Sequence, residues 1–239
     1  MNLVLASASP RRRELLTQAG FTFRVHPAHI PEDPLPSEDP IAYVTRLARQ
    51  KAEAVFAELS SKGAMGAPGL DFQTWEPIDS PTSRQETKGT GFSSYIEPLE
   101  AKGALAPEGP IIVLGADTTV TLDGHILGKP ENEAAAARML RLLSGRTHHV
   151  ITGVAVVTAT RTEFAAEVTA VKFLALSDRD IAAYIATSEP MDKAGAYAIQ
   201  GRAARWIPRI EGDYFNVVGL PISLVSTLLE SCQPPKVPR

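Results

Sequence analysis

The first twenty residues place the strongest constraint on the fold, because a strand, a tight turn and a helix start follow one another without a break. The apolar run at residues 3–6 predicts a buried strand. Ser9 followed by Pro10 predicts a helix N-cap and first helical position, and Gly20 predicts the end of that helix. A strand that passes directly into a helix N-terminus is typical of an α/β protein.

The later elements predict an α/β fold with a mixed β-sheet and flanking helices. Apolar residues at helical or strand spacing predict helices over residues 40–59, 131–143, 177–186 and from 221 onward, and strands over residues 111–114, 149–158 and 163–176. Asp123–Gly124 predicts a two-residue hairpin turn. Because strands and helices alternate irregularly and hairpins occur among them, the sheet is expected to be mixed.

The length and composition suit a single domain over residues 1–239. Hydrophobic residues make up 44% of the 239 residues, which is enough for a substantial core. Residues 60–109 are rich in Gly, Pro, Ser and Thr and show little periodicity. We expect this segment to be a flexible surface insertion within the domain.

Composition also excludes several classes of function. The single cysteine, Cys232, rules out an internal disulfide and a cysteine-based zinc cluster. The net charge of −3 disfavours a nucleic-acid binder. The apolar runs are too short to span a bilayer, and residues 3–6 are too short for the apolar core of a signal peptide, so we expect no secretory targeting. We therefore expect a cytoplasmic protein without nucleic-acid or membrane partners.

The start of the first helix is a candidate anion site. Arg11 and Arg12 stand in its first turn, where the helix dipole already carries partial positive charge. A bound polyphosphate would relieve this repulsion, and the hydroxyls of Ser7 and Ser9 would add donors. Alternatively, the arginines point to solvent or pair with acids elsewhere.

Lys51 and Asp117 are the next candidates. Lys51 lies within the apolar stripe of the helix over residues 40–59, so it must be paired, snorkel to solvent or face a cleft. Asp117 follows the strand over residues 111–114, near the expected ligand edge of an α/β sheet. It could be a general base, a metal ligand or a turn aspartate. Counting back from the hairpin turn pairs Lys129 with Thr118, which would separate Lys129 from Asp117 unless the strand contains a bulge or ends early.

Residues 189–201 crowd glycines and small residues around polar groups. Gln200 offers both a donor and an acceptor, which suits the recognition of a nucleotide base, but a tight structural loop explains the pattern equally well. Residues 124–129 fail as a Walker A loop because the glycine spacing is one residue short. His148 and His149 are adjacent on a strand and point to opposite faces, which argues against a metal site there.

Taken together, these stretches resemble the Maf family of nucleoside triphosphate pyrophosphatases. The matching segments occur in the family's order and cover nearly the whole chain outside residues 60–109, namely residues 7–12, 47–51, 115–118, 128–130, 144–147, 189–200 and 216–221. Two departures are Ala198, where the family usually has glycine, and the insertion, which typical bacterial members lack.

The resemblance implies a two-lobed fold with a deep cleft, and hydrolysis of a nucleoside triphosphate to the monophosphate and pyrophosphate with a divalent cation, Mg or Mn. Asp117 matches the family's proton acceptor, and Glu32 with Asp117 would hold the metal. Other matches are phosphate-contacting positions at Ser7, Arg12, Lys51 and Lys129, and base-selective positions at Arg11, Thr118 and Gln200.

With arginine at position 11, the chain resembles the branch of the family that is selective for dTTP and UTP. The branch that acts on 7-methyl-GTP typically carries a large apolar residue at this position. The alternatives are a pyrophosphatase for modified nucleotides such as 7-methyl-GTP or ITP, and a non-catalytic nucleotide-binding regulator of cell division. A homodimer is an expectation from the resemblance alone.

Overall fold

A computed structural model describes residues 2–64 and 109–232. The strands are β1 (Asn2–Leu5), β2 (Phe23–Val25), β3 (Ile111–Leu122), β4 (His125–Leu127), β5 (Thr147–Val157), β6 (Thr162–Lys172) and β7 (Arg209–Glu211). The helices are α1 (Pro10–Gln18), α2 (Pro40–Ala64), α3 (Glu133–Leu143), α4 (Asp178–Ile185), α5 (Tyr214–Val218) and α6 (Ile222–Ser231). Short 3₁₀ turns occur at Glu189–Asp192, Ala194–Ala196 and Arg202–Trp206.

The described strands form one mixed sheet, as the sequence predicts. Its order is β2-β1-β3-β5-β6-β7, with β4 paired to β3. β1 runs parallel to β2 and β3, whereas the other pairs are antiparallel. β1 ends at Leu5 opposite Leu114, but β3 continues to Leu122. The second half of β3 therefore extends beyond the carboxyl end of β1.

Several local predictions are confirmed. The Ser9 hydroxyl caps α1 by accepting a hydrogen bond from the Arg12 amide, and Pro10 is the first helical residue. Asp123 and Gly124 form the hairpin turn with φ values of 52° and 80°. His148 is fully buried, whereas His149 is exposed.

The predicted insertion at 60–109 lies largely outside the described residues. At its start the prediction was wrong in one respect, because α2 continues through Ala64 rather than ending at residue 59. Within residues 2–64 and 109–232, no helix combines the length and apolarity needed to cross a bilayer.

The strand that carries Asp117 is longer than the sequence pattern predicts. Asp117 lies in the middle of β3, not after its end. The apolar run stops at Leu114, but β5 pairs with β3 from Val113 to Thr121 and supplies backbone partners for the polar residues that follow. Asp117 still lies beyond the carboxyl end of β1, because β3 outruns that strand.

The predicted pairing of Lys129 with Thr118 was also wrong. The β3–β4 ladder ends at the pair Val120–Leu127, so Lys129 lies in the loop that follows β4. Pro130 has no amide hydrogen to donate to a ladder, which disfavours continuation of the strand. This early strand end removes the obstacle to Lys129 and Asp117 sharing one site.

Helix α2 packs directly against the sheet because glycines on β3 and β5 leave room for it. A Cβ atom at Gly153 would lie 2.4 Å from the Val44 carbonyl oxygen, and one at Gly115 would lie 2.1 Å from that of Ala48. Gly153 is the cross-strand partner of Asp117. The close approach therefore brings α2, with Lys51, over the carboxylate.

We expect Gly153→Ala to destabilise the fold by about 1–3 kcal/mol, because the new methyl group would collide with the α2 backbone. Chemical denaturation of both proteins measures the change in the free energy of unfolding. Gly128→Ala is the matched control, since nothing lies within 4 Å of a Cβ atom there. Equal stability of the two variants would contradict this packing account.

Candidate active site

The predicted site residues converge on one cavity of about 630 Å³ beyond the carboxyl end of β1. Its lining includes all of them, namely Ser7, Arg11, Arg12, Glu32, Lys51, Asp117, Thr118, Lys129 and Gln200. They come from the loop after β1, the start of α1, the loop before α2, α2 itself, β3, the loop after β4 and the segment before Arg202. Residues far apart in sequence thus form one site.

Lys51 joins two carboxylates at the centre of this cavity. Its Nζ atom lies 2.7 Å from Asp117 Oδ1 and 2.6 Å from Glu32 Oε1. The side chains of Lys51 and Asp117 are 10% and 11% exposed, whereas that of Glu32 is 52% exposed. Two of the three alternatives predicted for Lys51 therefore apply together, because this lysine is paired and also faces the cavity.

The protein shifts the pKa values of the two carboxylates in opposite directions. Burial raises the pKa of Asp117 despite the opposing charges of Lys51 and Arg12. Burial also pushes the pKa of Glu32 upward, but the hydrogen bond and charge of Lys51 outweigh it and hold that pKa below its usual value. The surroundings of Asp117 thus favour its protonated form, whereas those of Glu32 favour its ionised form.

Arg12 is tied to the protein on several sides. Its Nε donates to the Gly219 carbonyl at 2.8 Å, Nη1 donates to the Ala116 carbonyl at 2.9 Å and the Ser7 hydroxyl at 3.3 Å, and Nη2 donates to the Thr118 hydroxyl at 3.0 Å. A guanidinium has five N–H donors. Within the described part of the chain, these four bonds leave one donor on Nη2. Arg12 therefore holds the residues on both sides of Asp117, Ala116 through its backbone carbonyl and Thr118 through its hydroxyl.

The turn between β1 and α1 presents donors to the cavity. The buried Ser7 hydroxyl accepts hydrogen bonds from the Ser9 amide and Arg12 Nη1, which leaves its own proton for a further acceptor. The first turn of α1 contains no acidic residue that would neutralise the helix dipole. These features are compatible with the predicted anion site, which stays a prediction.

Three other predicted residues are less buried than Asp117 and Lys51. Arg11 Nη1 lies 3.7 Å from Asp192 Oδ2, so this arginine has an acidic partner. Lys129 and Gln200 are exposed and line the same cavity. The cavity therefore combines a buried centre at Lys51 with exposed polar groups.

Sequence reasoning missed two further contributors. The Tyr43 hydroxyl donates to the Glu32 carbonyl at 2.9 Å, and Tyr43 precedes Lys51 by eight residues on the same face of α2. That spacing could have identified it. The Thr152 hydroxyl lies 2.9 Å from that of Thr118, a contact that depends on the register of β5 against β3. No local pattern predicts that register.

Glu32 and Asp117 could hold a divalent cation, since both carboxylates meet at the Lys51 ammonium. Among residues 2–64 and 109–232 no group of three or more His, Cys, Asp and Glu side chains is arranged to hold a metal. A hard cation that uses one or two carboxylates together with substrate phosphate oxygens fits this donor set. A metal that needs a complete cage of protein ligands does not.

Comparison with known proteins gives consistent matches. The family model described as "Maf-like protein" matches residues 2–232. A "dTTP/UTP pyrophosphatase" of Koribacter versatilis is 44% identical over 96% of this chain and 93% of its own length. Proteins of the same name from Moorella thermoacetica and Thermococcus onnurineus are 45% and 41% identical, each over 95% of this chain and over 93% and 96% of their own lengths.

We expect Arg12→Lys to lower the free energy of unfolding by about 2 kcal/mol, because lysine keeps the charge but cannot replace the guanidinium's hydrogen bonds. Thermal or chemical denaturation measures the loss. The neighbouring Arg13 is exposed, and Arg13→Lys should change stability by less than about 0.5 kcal/mol. An Arg12→Lys protein as stable as Arg13→Lys would show that these bonds do not hold the site together.

Proposed function

The chain belongs to the Maf family, and on that premise we propose that it is a nucleoside triphosphate pyrophosphatase that hydrolyses dTTP and UTP. The observation that carries this proposal is the buried Asp117 carboxylate paired with Lys51 in a cavity that also contains Arg11, Arg12 and Lys129. The names of the relatives from Koribacter versatilis and Moorella thermoacetica support the choice of substrate. The products are the nucleoside monophosphate and pyrophosphate.

The triphosphate binds at the turn between β1 and α1. The Ser7 hydroxyl and the open end of α1 donate to phosphate oxygens, and the remaining Arg12 donor adds a charged contact. Lys129 neutralises the phosphates from the exposed side. Because Arg12 is already fixed by the protein, it requires little reorganisation when the substrate arrives.

Glu32 and Asp117 would hold a Mg or Mn ion, which would supply charge neutralisation and polarisation of the phosphate oxygens. Lys51 lies between these carboxylates and neutralises part of their negative charge, which it would share with a bound metal. Lys51 can contact a phosphate only if its ammonium group moves away from one of these carboxylates when the substrate binds. Tyr43 holds the Glu32 backbone through its hydroxyl and so keeps the second carboxylate at the cavity.

Asp117 accepts a proton from the attacking water. The water oxygen forms a bond to the α-phosphorus, and the bond from that phosphorus to the β-phosphate bridging oxygen breaks, which releases pyrophosphate. Burial favours this role because it raises the pKa of Asp117 toward the working pH, where a general base is most effective. Arg12, Lys51 and Lys129 stabilise the negative charge that develops on the leaving group.

Arg11 and Gln200 read the pyrimidine base, since both line the cavity and carry hydrogen-bonding groups. The Thr118 hydroxyl already contacts Arg12, Thr152 and the Gly219 carbonyl. Thr118 therefore contributes to selectivity by fixing the cavity surface next to Arg12 and Gly219. The two-lobed cleft, the homodimer and the cytoplasmic location stay predictions.

We expect Asp117→Asn to reduce pyrophosphate release from dTTP by at least roughly 100-fold, because the amide cannot take the water's proton. Asp123→Asn is a suitable control, since it changes an exposed aspartate at the tip of the hairpin that follows the same strand, where asparagine suits the turn. A folded Asp117→Asn protein with nearly wild-type turnover would remove Asp117 from this role.

Competition among dTTP, UTP, 7-methyl-GTP and ITP in one assay tests the substrate class. We expect the kcat/KM values for dTTP and UTP to exceed those for the two purine nucleotides. Preference for either purine nucleotide would contradict the dTTP/UTP assignment. Tight binding of dTTP without pyrophosphate release would instead indicate a non-catalytic regulator.

Lys51→Gln should move the acid limb of the kcat/KM profile for dTTP to higher pH. Activity needs ionised Asp117, and the Lys51 charge lowers the pKa of that carboxyl, so its removal lets Asp117 bind a proton at higher pH. Lys172→Gln, at an exposed position on β6, should leave the limb in place. An acid limb that is the same in wild type and Lys51→Gln would contradict the coupling of these two groups.

A further inference from the structure

The segment that carries Gln200 is fastened at both ends by one pair of side chains. On one side, the Ala198 amide donates to the Tyr184 hydroxyl at 3.1 Å. On the other side, the Arg202 amide donates to both Glu189 carboxylate oxygens, at 3.1 Å and 3.2 Å. The Tyr184 hydroxyl in turn donates to Glu189 Oε1 at 2.7 Å. We call Tyr184 and Glu189 the loop clamp.

The Tyr184 hydroxyl is held in one orientation by its surroundings. Tyr184 is fully buried, and its ring packs edge-on against Trp206 with 5.4 Å between ring centroids. Burial raises the pKa of the phenol, and the hydrogen bond to Glu189 raises it further. The hydroxyl therefore stays protonated and can donate to Glu189 while it accepts from Ala198.

The Glu189 carboxylate lies directly against the loop backbone at Gly201, in the space that a side chain there would need. A Cβ atom at Gly201 would lie 2.0 Å from Glu189 Oε1. The backbone carbonyl of Glu189 also accepts a hydrogen bond from Lys193 Nζ at 2.8 Å, and Lys193 lines the cavity. One residue thus fixes the position of two cavity segments.

The clamp lies outside the chemistry but acts on a residue within the cavity. Gln200 lines the cavity, whereas neither Tyr184 nor Glu189 is part of that lining. Gln200 has a flexible side chain, so its amide can read a base only if the backbone beneath it is fixed. The hydrogen bonds at Ala198 and Arg202 fix the backbone on both sides of it.

Resting on the proposed function, we propose that Tyr184 and Glu189 are positioning residues that set the base selectivity of the cavity by fixing the backbone that carries Gln200. This role predicts that their removal weakens recognition of the pyrimidine and leaves the hydrolytic step nearly intact. The loss should therefore appear in KM for dTTP rather than in kcat.

A double-mutant cycle tests this inference. Tyr184→Phe removes the hydroxyl but keeps the ring against Trp206, and it should lower kcat/KM for dTTP roughly 10-fold, mainly through KM. In a Gln200→Ala background the same substitution should change kcat/KM by less than about twofold, because the group it positions is already gone. Effects that simply multiply would overturn the proposal.

Conservative variants and a structural readout separate positioning from general damage. Glu189→Gln keeps one acceptor oxygen and should retain part of the selectivity for dTTP over ITP, whereas Glu189→Ala should lose it. Amide hydrogen exchange at Ala198 and Arg202 should accelerate in Tyr184→Phe. Tyr214→Phe, at an exposed tyrosine on α5, should change neither quantity. Unchanged exchange at both amides in Tyr184→Phe would also overturn the proposal.

Different results would contradict the proposed function and the role of the loop clamp. A wild-type chain that releases no pyrophosphate from dTTP or UTP would contradict the proposed function, and with it the selectivity role of the clamp. An active wild type in which Tyr184→Phe lowers kcat and leaves KM unchanged would contradict the clamp alone.

Discussion

The site depends on one buried ammonium group. Lys51 lies in an otherwise apolar face of α2, where an unpaired charge would be costly, and its pairing with Asp117 and Glu32 makes that position tenable. The pairing in turn needs α2 to lie close to the sheet. The absence of a side chain at Gly153, opposite Asp117, permits that approach. The close packing of α2 at Gly153 and the pairing of Lys51 with the two carboxylates thus depend on each other.

The second organising group is Arg12, which connects three parts of the chain that are distant in sequence. Its hydrogen bonds reach the turn after β1, the two residues of β3 that flank Asp117 and the carbonyl of Gly219 after α5. An arginine at a helix N-terminus is unfavourable in isolation. Here protein carbonyls and hydroxyls take up most of its donors, so the fold offsets this cost before any ligand binds. The charge nevertheless remains at the cavity, where a polyphosphate would use it.

Much of this arrangement could be predicted from the sequence, because its signals are local. Ser9–Pro10 predicts the start of α1 and Asp123–Gly124 predicts the hairpin. The charge of Lys51 within an apolar stripe singles that residue out, although the sequence leaves open whether it is paired, snorkels to solvent or faces a cleft. What could not be predicted depends on long-range pairing. The length of β3 comes from its register with β5, and the loop clamp joins residues that no helical or strand period connects. The same limit explains why Asp117 was expected after a strand rather than within one.

The most direct test of the central claim is a crystal structure of the protein with Mg²⁺ and a dTTP analogue whose α,β-bridging oxygen is replaced by a methylene group. The account predicts that the triphosphate occupies the cavity beside Arg12 and Lys129, with the α-phosphorus facing Asp117 and room for one water between them. A triphosphate bound elsewhere, or one with its γ-phosphate at Asp117 and its α-phosphorus far from any carboxylate, would contradict it.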